Sequence, residues 1–207
     1  DSFIATASAM GISSWSDKSK FGLPLTLGGG EVTMFDLAKS FSTFDNQGVS
    51  VPLVSILKVE DFNGKILESY DADKTANLVS VLPEDWQTFW TNNQTQTATI
   101  SSEPKVALPK EVTFIISDIL SDNNARSATF GTSSFLNIPG HTVSVKTGTT
   151  NDLKDNWTIG YTPDFLAVTW VGNNDNTSMS YVASGVTGAS PIWNSIMKKL
   201  LKDVKNK

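Results

Sequence analysis

Three apolar segments joined by short linkers occupy the last third of this 207-residue chain. They cover about residues 142–149, 157–162 and 165–172. Val168 and Trp170 have the β-branched or aromatic side chains that are enriched in strands. A parallel pairing would need a crossover of about a dozen residues, which these linkers do not provide. The pattern therefore predicts an antiparallel meander of three strands.

Segments with apolar residues at helical spacing surround this meander. The predicted helices run over 2–12 with a stop at Gly11, from near Thr33 to Gly48, from Lys110 to Leu120, and from Pro191 to Asp203. Helices packed on an antiparallel sheet form an α+β layer architecture. We therefore expect an α+β fold in which the helices, including a C-terminal one, pack on the three-stranded meander.

The helix that begins near Thr33 carries clear local signals. Thr33 and Asp36 have the spacing of a capping box, with Asp in place of the usual Glu or Gln. The side chains predicted to face the core are Phe35, Leu37, Ala38, Phe41 and Phe44. The preceding glycines, 28–30, predict a turn, because the Gly-Lys-Ser/Thr sequence of a phosphate loop does not follow them.

The region between the second and third helices divides into a hairpin and a polar segment. Asn63-Gly64, which follows an alternating segment, is the strongest short-range signal for a hairpin turn. Residues 71–110 are rich in Thr, Gln, Asn and Ser and predict a surface insertion, with one short helix at Pro83–Trp90. The helix that follows is predicted to end in a loop at Asn123-Asn124.

Composition excludes several kinds of site. The chain has no cysteine, which removes disulfides, thiolate zinc sites and a cysteine nucleophile. Its one histidine, His141, follows Pro139-Gly140 in a predicted exposed turn, and a single imidazole gives no metal-ligand spacing. A net charge of −5 without a Lys/Arg stripe does not favour nucleic acid. No apolar run reaches the roughly 18 residues that a membrane span requires.

The first predicted strand ends in the cluster "SVKTGTT", residues 144–150. Lys146 provides a positive charge for an anion or a nearby hydroxyl, and Gly148 allows another group to approach the backbone. The hydroxyls of Thr147, Thr149 and Thr150 can donate hydrogen bonds to a carboxylate. Strand alternation places Thr147 and Thr149 on one face and Lys146 on the other. These features predict a subsite for a small carboxylate ligand.

Lys146-Thr147-Gly148 is also one of the motifs of penicillin-binding proteins and serine β-lactamases. The stretch "VKTGTTNDLKDNWTIGYTPDFLAVTWVGNND" closely resembles the third-motif region of bifunctional (class A) penicillin-binding proteins. "LTLGGGEVTMFDLAKSFSTFDNQGVSVPLVSILKVEDFNGKIL" resembles the segment after their second motif, and "TGASPIWNSIMKKLL" resembles their closing helix. The resemblance covers most of the chain, least at 71–110. It identifies residues 1–207 as the C-terminal portion of a penicillin-binding transpeptidase domain.

The resemblance implies acyl transfer through a serine ester, with a peptidoglycan stem peptide as substrate and β-lactams as its mimics. Lys146 would maintain the electrostatics around the serine. Thr147 and Thr149, on either side of Gly148, would bind the terminal carboxylate, with Thr150 in support. The backbone N–H of Thr149 would be one of two oxyanion donors. No metal or cofactor is implied, and the parent protein would work in the cell envelope, attached to the membrane only through upstream segments.

A serine followed three residues later by lysine, which the first motif requires, occurs three times, and none of the three suits a nucleophile. Ser55/Lys58 lies in the predicted hairpin strand, and Ser102/Lys105 has Pro104 between its members. Ser195/Lys198 lies downstream of Lys146, in the reverse of the family's order. Ser121-Asp122-Asn123 spells the second motif but follows the segments that it should precede, so it is predicted to be a coincidental match at a helix end.

The nucleophile is therefore expected to lie upstream of Asp1, in a missing N-terminal half of the domain. That half also supplies two strands in this family, so its absence would leave a sheet edge exposed. We expect the isolated chain to be inactive, and either weakly stable or paired through that edge. Two alternatives stay open from sequence: a serine β-lactamase, and a non-catalytic binding or interaction module of the same fold.

Overall fold

A computed structural model describes residues 2–70, 104–179 and 187–207 of the chain. The helices are α1 Ser2–Ala9, α2 Met34–Asp45, α3 Lys110–Ser121, α4 Asn123–Phe130 and α5 Ala189–Leu200. The strands are β1 Val49–Ser50, β2 Lys58–Glu60, β3 Ile66–Ser69, β4 Lys105–Val106, β5 Ser144–Thr149, β6 Asp155–Tyr161 and β7 Leu166–Gly172. Short 3-10 helices occur at Lys18–Lys20 and Leu23–Leu27. The helix predicted at Pro83–Trp90, and Ser102, lie outside the described residues.

The three C-terminal strands form the antiparallel meander that the sequence predicts, in the order β5-β6-β7. Lys146 lies opposite Ile159, and Gly148 lies opposite Trp157, which in turn pairs with Trp170. Because opposite residues in a sheet share a face, this register fixes which side chains surround each residue of the predicted subsite.

Helix α5 covers one face of the meander. Trp193 of α5 is fully buried over Gly160, where a Cβ atom would lie 2.4 Å from the indole Cζ2. The hydroxyls of Thr158 and Ser190 are 2.8 Å apart and join the two layers through a buried hydrogen bond. The core between them consists of Leu136, Ile138, Val143, Val145, Ala167, Trp193, Met197 and Leu201. The predicted C-terminal helix thus packs on the sheet as expected.

Helices α2 and α3 cover the opposite face, with α2 over β6 and β7 and α3 over β5. The ring of Phe41 meets that of Tyr161 edge-on at 6.4 Å. The Ser117 and Tyr161 hydroxyl oxygens are 2.8 Å apart, and Ser144 Oγ donates to the Ser117 carbonyl oxygen at 2.7 Å. Together the two helix layers and the sheet make the α+β architecture that the sequence predicts.

Helix α2 differs from its sequence interpretation in two ways. Thr33 is the N-cap and its hydroxyl accepts from Asp36 N, but the Asp36 carboxylate does not complete the predicted capping box. It accepts instead from Ser13 Oγ at 3.0 Å and Ser14 N at 3.1 Å. Phe35 was predicted to face the core and is 73% exposed. The buried side chains of α2 are polar ones, Asp36, Ser40 and Thr43, which a search for apolar periodicity cannot find.

The loop predicted at Asn123-Asn124 is wrong, because α4 begins there. The Asp122 carboxylate caps this helix, accepting from Asn124 N at 2.8 Å and Ala125 N at 2.9 Å. Asp and Asn favour loops for the same reason that they cap helices, since their side chains satisfy nearby backbone N–H groups. Two helices that meet at one capping residue therefore have a sequence that is typical of a loop.

The hairpin is confirmed: β2 and β3 pair, and Asp61 Oδ1 accepts from the backbone N–H groups of Asn63 and Lys65 in the turn. Ser55, however, precedes β2 and is not in the strand. The polar insertion also ends earlier than predicted. Strand β4 pairs with β1, and the two residues after β4, Ala107 and Leu108, are 1% and 6% exposed. This part of 71–110 belongs to the core rather than the surface.

Candidate active-site strand

Strand β5 carries the predicted subsite and has a sheet partner on one side only, within the part of the chain that the structure describes. Along β5, successive residues direct their backbone N–H and C=O groups alternately toward β6 and toward the open edge. The turn that follows shows which residues face β6, because there Thr150 N donates to Asp155 O at 3.1 Å. Thr150 and Asp155 are therefore a hydrogen-bonded pair, and such pairs alternate along an antiparallel ladder. Gly148 and Lys146 then bond to β6, whereas the N–H and C=O groups of Thr149 and Thr147 point toward the open edge.

Lys146 is an exposed side chain at that edge. Its ammonium group donates to the carbonyl oxygen of Thr147 at 2.5 Å, which agrees with an outward-pointing carbonyl at that position. Among the described residues, no carboxylate lies within ion-pair distance of Lys146. The cation is thus available to an anionic ligand at the edge.

The Thr149 side chain is oriented by a buried amide. Thr149 Oγ1 accepts from Asn156 Nδ2 at 3.0 Å, so its own O–H remains able to donate to a ligand. Asn156 is fully buried, and its Oδ1 accepts from the backbone N–H of Ala189 at 2.6 Å. One amide therefore connects the end of β5 to the start of α5. Sequence reasoning missed Asn156, since a polar residue within a strand carries no signal of burial.

Thr150, which was predicted to support ligand binding, lies at the start of the turn between β5 and β6. Its hydroxyl oxygen accepts from Lys154 N and Asp155 N, both at 2.9 Å, within the turn between β5 and β6. In this turn Leu153 adopts a φ of 54°. The Thr150 oxygen therefore stabilises the turn, and only its own proton remains for another acceptor.

The structure brings the Ser121-Asp122-Asn123 sequence, which was predicted to be a coincidental match to the second motif, close to Lys146. A cavity of about 180 Å³ separates β5 from α3 and α4, and both Asp122 and Lys146 line it. The side chains of the match nevertheless have local partners. Asp122 caps α4, Asn123 Oδ1 accepts from Arg126, and Ser121 Oγ donates to the Asp118 carbonyl oxygen. Through these hydrogen bonds, all three residues stabilise the junction between α3 and α4.

The candidate serines Ser55 and Ser195 lie apart from β5 in the chain, whereas His141 precedes β5 by three residues. Ser195 Oγ donates to the Pro191 carbonyl oxygen within α5, and Ser55 is exposed ahead of the hairpin. His141 follows Gly140, which has a φ of 83°, and its side chain is half-buried at the predicted turn rather than exposed. Within the described ranges, no group of three acidic or histidine side chains is arranged to hold a metal ion. No described helix is long and apolar enough to cross a membrane.

A titratable group near the far end of the meander was not predicted. Burial, together with the nearby charge of Asp164, raises the pKa of Asp45 to about 7. Burial also raises the pKa of Tyr161, although its hydrogen bonds with Ser117 and Ser144 oppose that change. Asp164 itself forms an ion pair with Lys207. Helix α2 thus carries a partly buried carboxyl whose pKa lies near neutral pH.

Comparison with known proteins gives consistent relatives. The chain is 28% identical to penicillin-binding protein 1A of Neisseria meningitidis over 89% of its length, and 29% identical to penicillin-binding protein 4 of Bacillus subtilis over 87%. It covers only 20% and 24% of those proteins.

Solved structures agree with this fold. The penicillin-binding protein PonA1 from Mycobacterium tuberculosis matches 99% of the chain with a TM-score of 0.68 at 24% identity, and the chain covers half of that structure. Penicillin-binding protein 1A from Haemophilus influenzae matches all of the chain with a TM-score of 0.66 at 21% identity, and 34% of it is covered. The sequence between residues 5 and 199 matches the transpeptidase domain of penicillin-binding proteins. The chain therefore belongs to the penicillin-binding protein transpeptidase domain family.

Proposed function

We propose that the parent protein is a peptidoglycan D,D-transpeptidase and that this chain supplies one side of its active site. A serine from the rest of the domain would attack the penultimate D-Ala carbonyl of a stem peptide, with release of the terminal D-Ala. The serine ester would then be transferred to an amine of a second stem peptide. The reaction would take place in the cell envelope, outside the cytoplasmic membrane.

The single observation that carries this proposal is the direction of the Thr149 N–H. The ladder register points it away from β6, to the open edge of β5 that also holds the Lys146 ammonium. A backbone N–H at that place can bind the oxyanion that forms when the serine attacks. Such a donor typically lowers the barrier by about 3 kcal/mol.

The threonine hydroxyls support recognition of a terminal carboxylate. Asn156 occupies an acceptor position of Thr149 Oγ1 and leaves its proton for the ligand. Thr147 has no hydrogen bond from its hydroxyl within the described residues and is half-buried beside it, on the same face of β5. Two donors and the Lys146 charge suit one carboxylate, and the same arrangement would accept a β-lactam carboxylate. Penicillin V, with which PonA1 has been solved in complex, is a ligand of this kind.

The missing part of the domain is proposed to join the sheet at β7. The ligand needs the open edge of β5, so added strands can pair only with the other edge, that of β7. That part of the domain would bring the nucleophilic serine and its lysine to the face of β5 on which Lys146 lies. The 207-residue chain alone would therefore form no acyl-enzyme.

The test is labelling of the full-length protein with a fluorescent penicillin, followed by peptide mapping of the adduct. We expect one adduct on a serine outside this chain. Lys146→Met should slow labelling by at least a hundredfold, whereas Lys65→Met, another exposed lysine, should not change it. An adduct on Ser55, Ser121 or Ser195, or none at all, would contradict the proposal. Rapid turnover of a chromogenic β-lactam would identify a β-lactamase instead.

A further inference from the structure

Two tryptophans lie opposite each other on neighbouring strands of the meander, next to the predicted subsite. Trp157 lies opposite Gly148 and pairs on its other side with Trp170. Lys146 is two residues from Gly148 in the same strand, so Trp157, Trp170 and Lys146 share a face of the sheet. The two indole centroids are 6.2 Å apart, with their planes inclined by 50°.

The two indoles differ in how they are held. Trp170 Nε1 donates to Asp155 Oδ1 at 2.9 Å, and its ring covers Gly172, where a Cβ atom would lie 2.4 Å from Cζ2. Trp157 is half-buried, and its Nε1–H has no hydrogen-bond partner among the residues that the structure describes. Trp170 is therefore fixed by the protein, whereas Trp157 retains an unused donor and a partly exposed ring.

Gly148 leaves the β5 side of the Trp157 ring uncovered. A Cβ atom at Gly148 would lie 3.7 Å from Trp157 Cβ, which is an ordinary van der Waals contact, so this packing does not require glycine. A larger side chain at that position would extend over the face on which the indole lies. The absence of a side chain keeps a path open between the edge of β5 and the indole.

We propose that Trp157 is a specificity-determining residue that packs against the apolar group next to the ligand's carboxylate. This inference rests on the proposed function. The carboxylate is held at the β5 edge by Thr147, Thr149 and Lys146, and the substituent on the adjacent carbon turns toward Gly148 and reaches the indole. For a stem peptide this substituent is the methyl group of the terminal D-Ala. The free Nε1–H donates to a polar atom of the same ligand.

Peptide discrimination by the full-length protein tests this assignment. Two diacetyl-lysyl peptides that end in D-Ala-D-Ala and in D-Ala-Gly differ by the proposed methyl contact alone. The wild-type protein should favour the first about fourfold in kcat/KM for release of the terminal residue, since one buried methyl group contributes about that factor. Trp157→Leu should raise KM for the first peptide about tenfold and bring the ratio of the two close to one. Trp157→Phe, which keeps an aromatic face, should recover most of the preference.

Trp15→Leu is the matched control. Trp15 is also half-buried and packs between Phe3 and Phe21, outside the sheet. Its substitution should leave both the preference and KM unchanged. If Trp157→Leu lowers the melting temperature but keeps the wild-type peptide ratio, Trp157 has only a structural role and the inference is wrong. A wild-type protein that acquires no penicillin adduct would instead overturn the proposed function.

Discussion

At the scale of single residues, the proposed subsite depends on a side chain that is buried behind it, that of Asn156. Asn156 is fully buried, donates to Thr149 Oγ1 and accepts from Ala189 N. It therefore orients the Thr149 hydroxyl and fixes the position of the first residue of α5. Without this amide, the backbone N–H of Ala189 would lie unsatisfied in the protein interior. Of the motif residues, it is Thr149 whose hydroxyl Asn156 orients.

Substitution of Asn156 by alanine should therefore destabilise the protein. It leaves the Ala189 N–H without an acceptor and opens a small cavity, which together cost about 2–3 kcal/mol. The measurement is the urea midpoint of the full-length protein. Asn173→Ala should cost well under 1 kcal/mol, because Asn173 bonds to the 177–178 turn at an exposed position. Equal losses for the two variants would contradict the bridging role.

At the scale of elements, the sequence predicts those that rest on local chemistry. The hairpin turn follows from Asn63-Gly64, and the meander follows from short linkers between β-branched segments. The strand β4 could not be predicted, since its pairing with β1 joins positions more than fifty residues apart. Burial on α2 was also misread, because Phe35 lies beside a stripe of buried polar residues. Position in the tertiary structure, which local periodicity does not encode, decides such cases.

The packing of α2 on the sheet should depend on pH through Asp45. Its folded-state pKa is raised from 3.8 to about 7, so the folded state binds this proton more tightly than the unfolded state does. The contribution of Asp45 to the free energy of unfolding is fully present below about pH 4, is lost as the pH rises toward 7, and does not change further above pH 7. Because Asp45 is only partly shielded from water, the loss should be on the order of 2 kcal/mol.

Asp45→Asn removes this titration and gives a direct measurement. Urea midpoints should be measured at pH 5, 6, 7 and 8. The stability of the variant relative to the wild type should increase as the pH rises to 7 and stay constant above pH 7. Asp175→Asn is a suitable control, since Asp175 is exposed and its hydrogen bonds to Thr177 lower its pKa. A difference between Asp45→Asn and wild type that is the same at every pH would contradict the raised pKa.

At the scale of the whole molecule, the chain presents apolar surface that a stable monomer would bury. Phe114, Ile115 and Ile119 of α3 are 71%, 55% and 62% exposed, on the same side of the sheet as Lys146. A groove of about 530 Å³ between α2 and α3 continues this surface. The chain also covers only half of the PonA1 structure that it matches. Both facts agree with the proposal that another part of the domain packs on this chain, with α3 as the surface that it would cover.

The isolated 207-residue chain should therefore self-associate. Its sedimentation coefficient should rise with concentration in the micromolar range, because exposed apolar helix faces and open strand edges pair with each other. Ile115→Lys should weaken this association by introducing a charge on α3. Ile66→Lys changes a residue that is also 55% exposed, on the hairpin, and should have a smaller effect. A cooperative melt of a monomer at all concentrations would mean instead that the exposed face of α3 needs no partner.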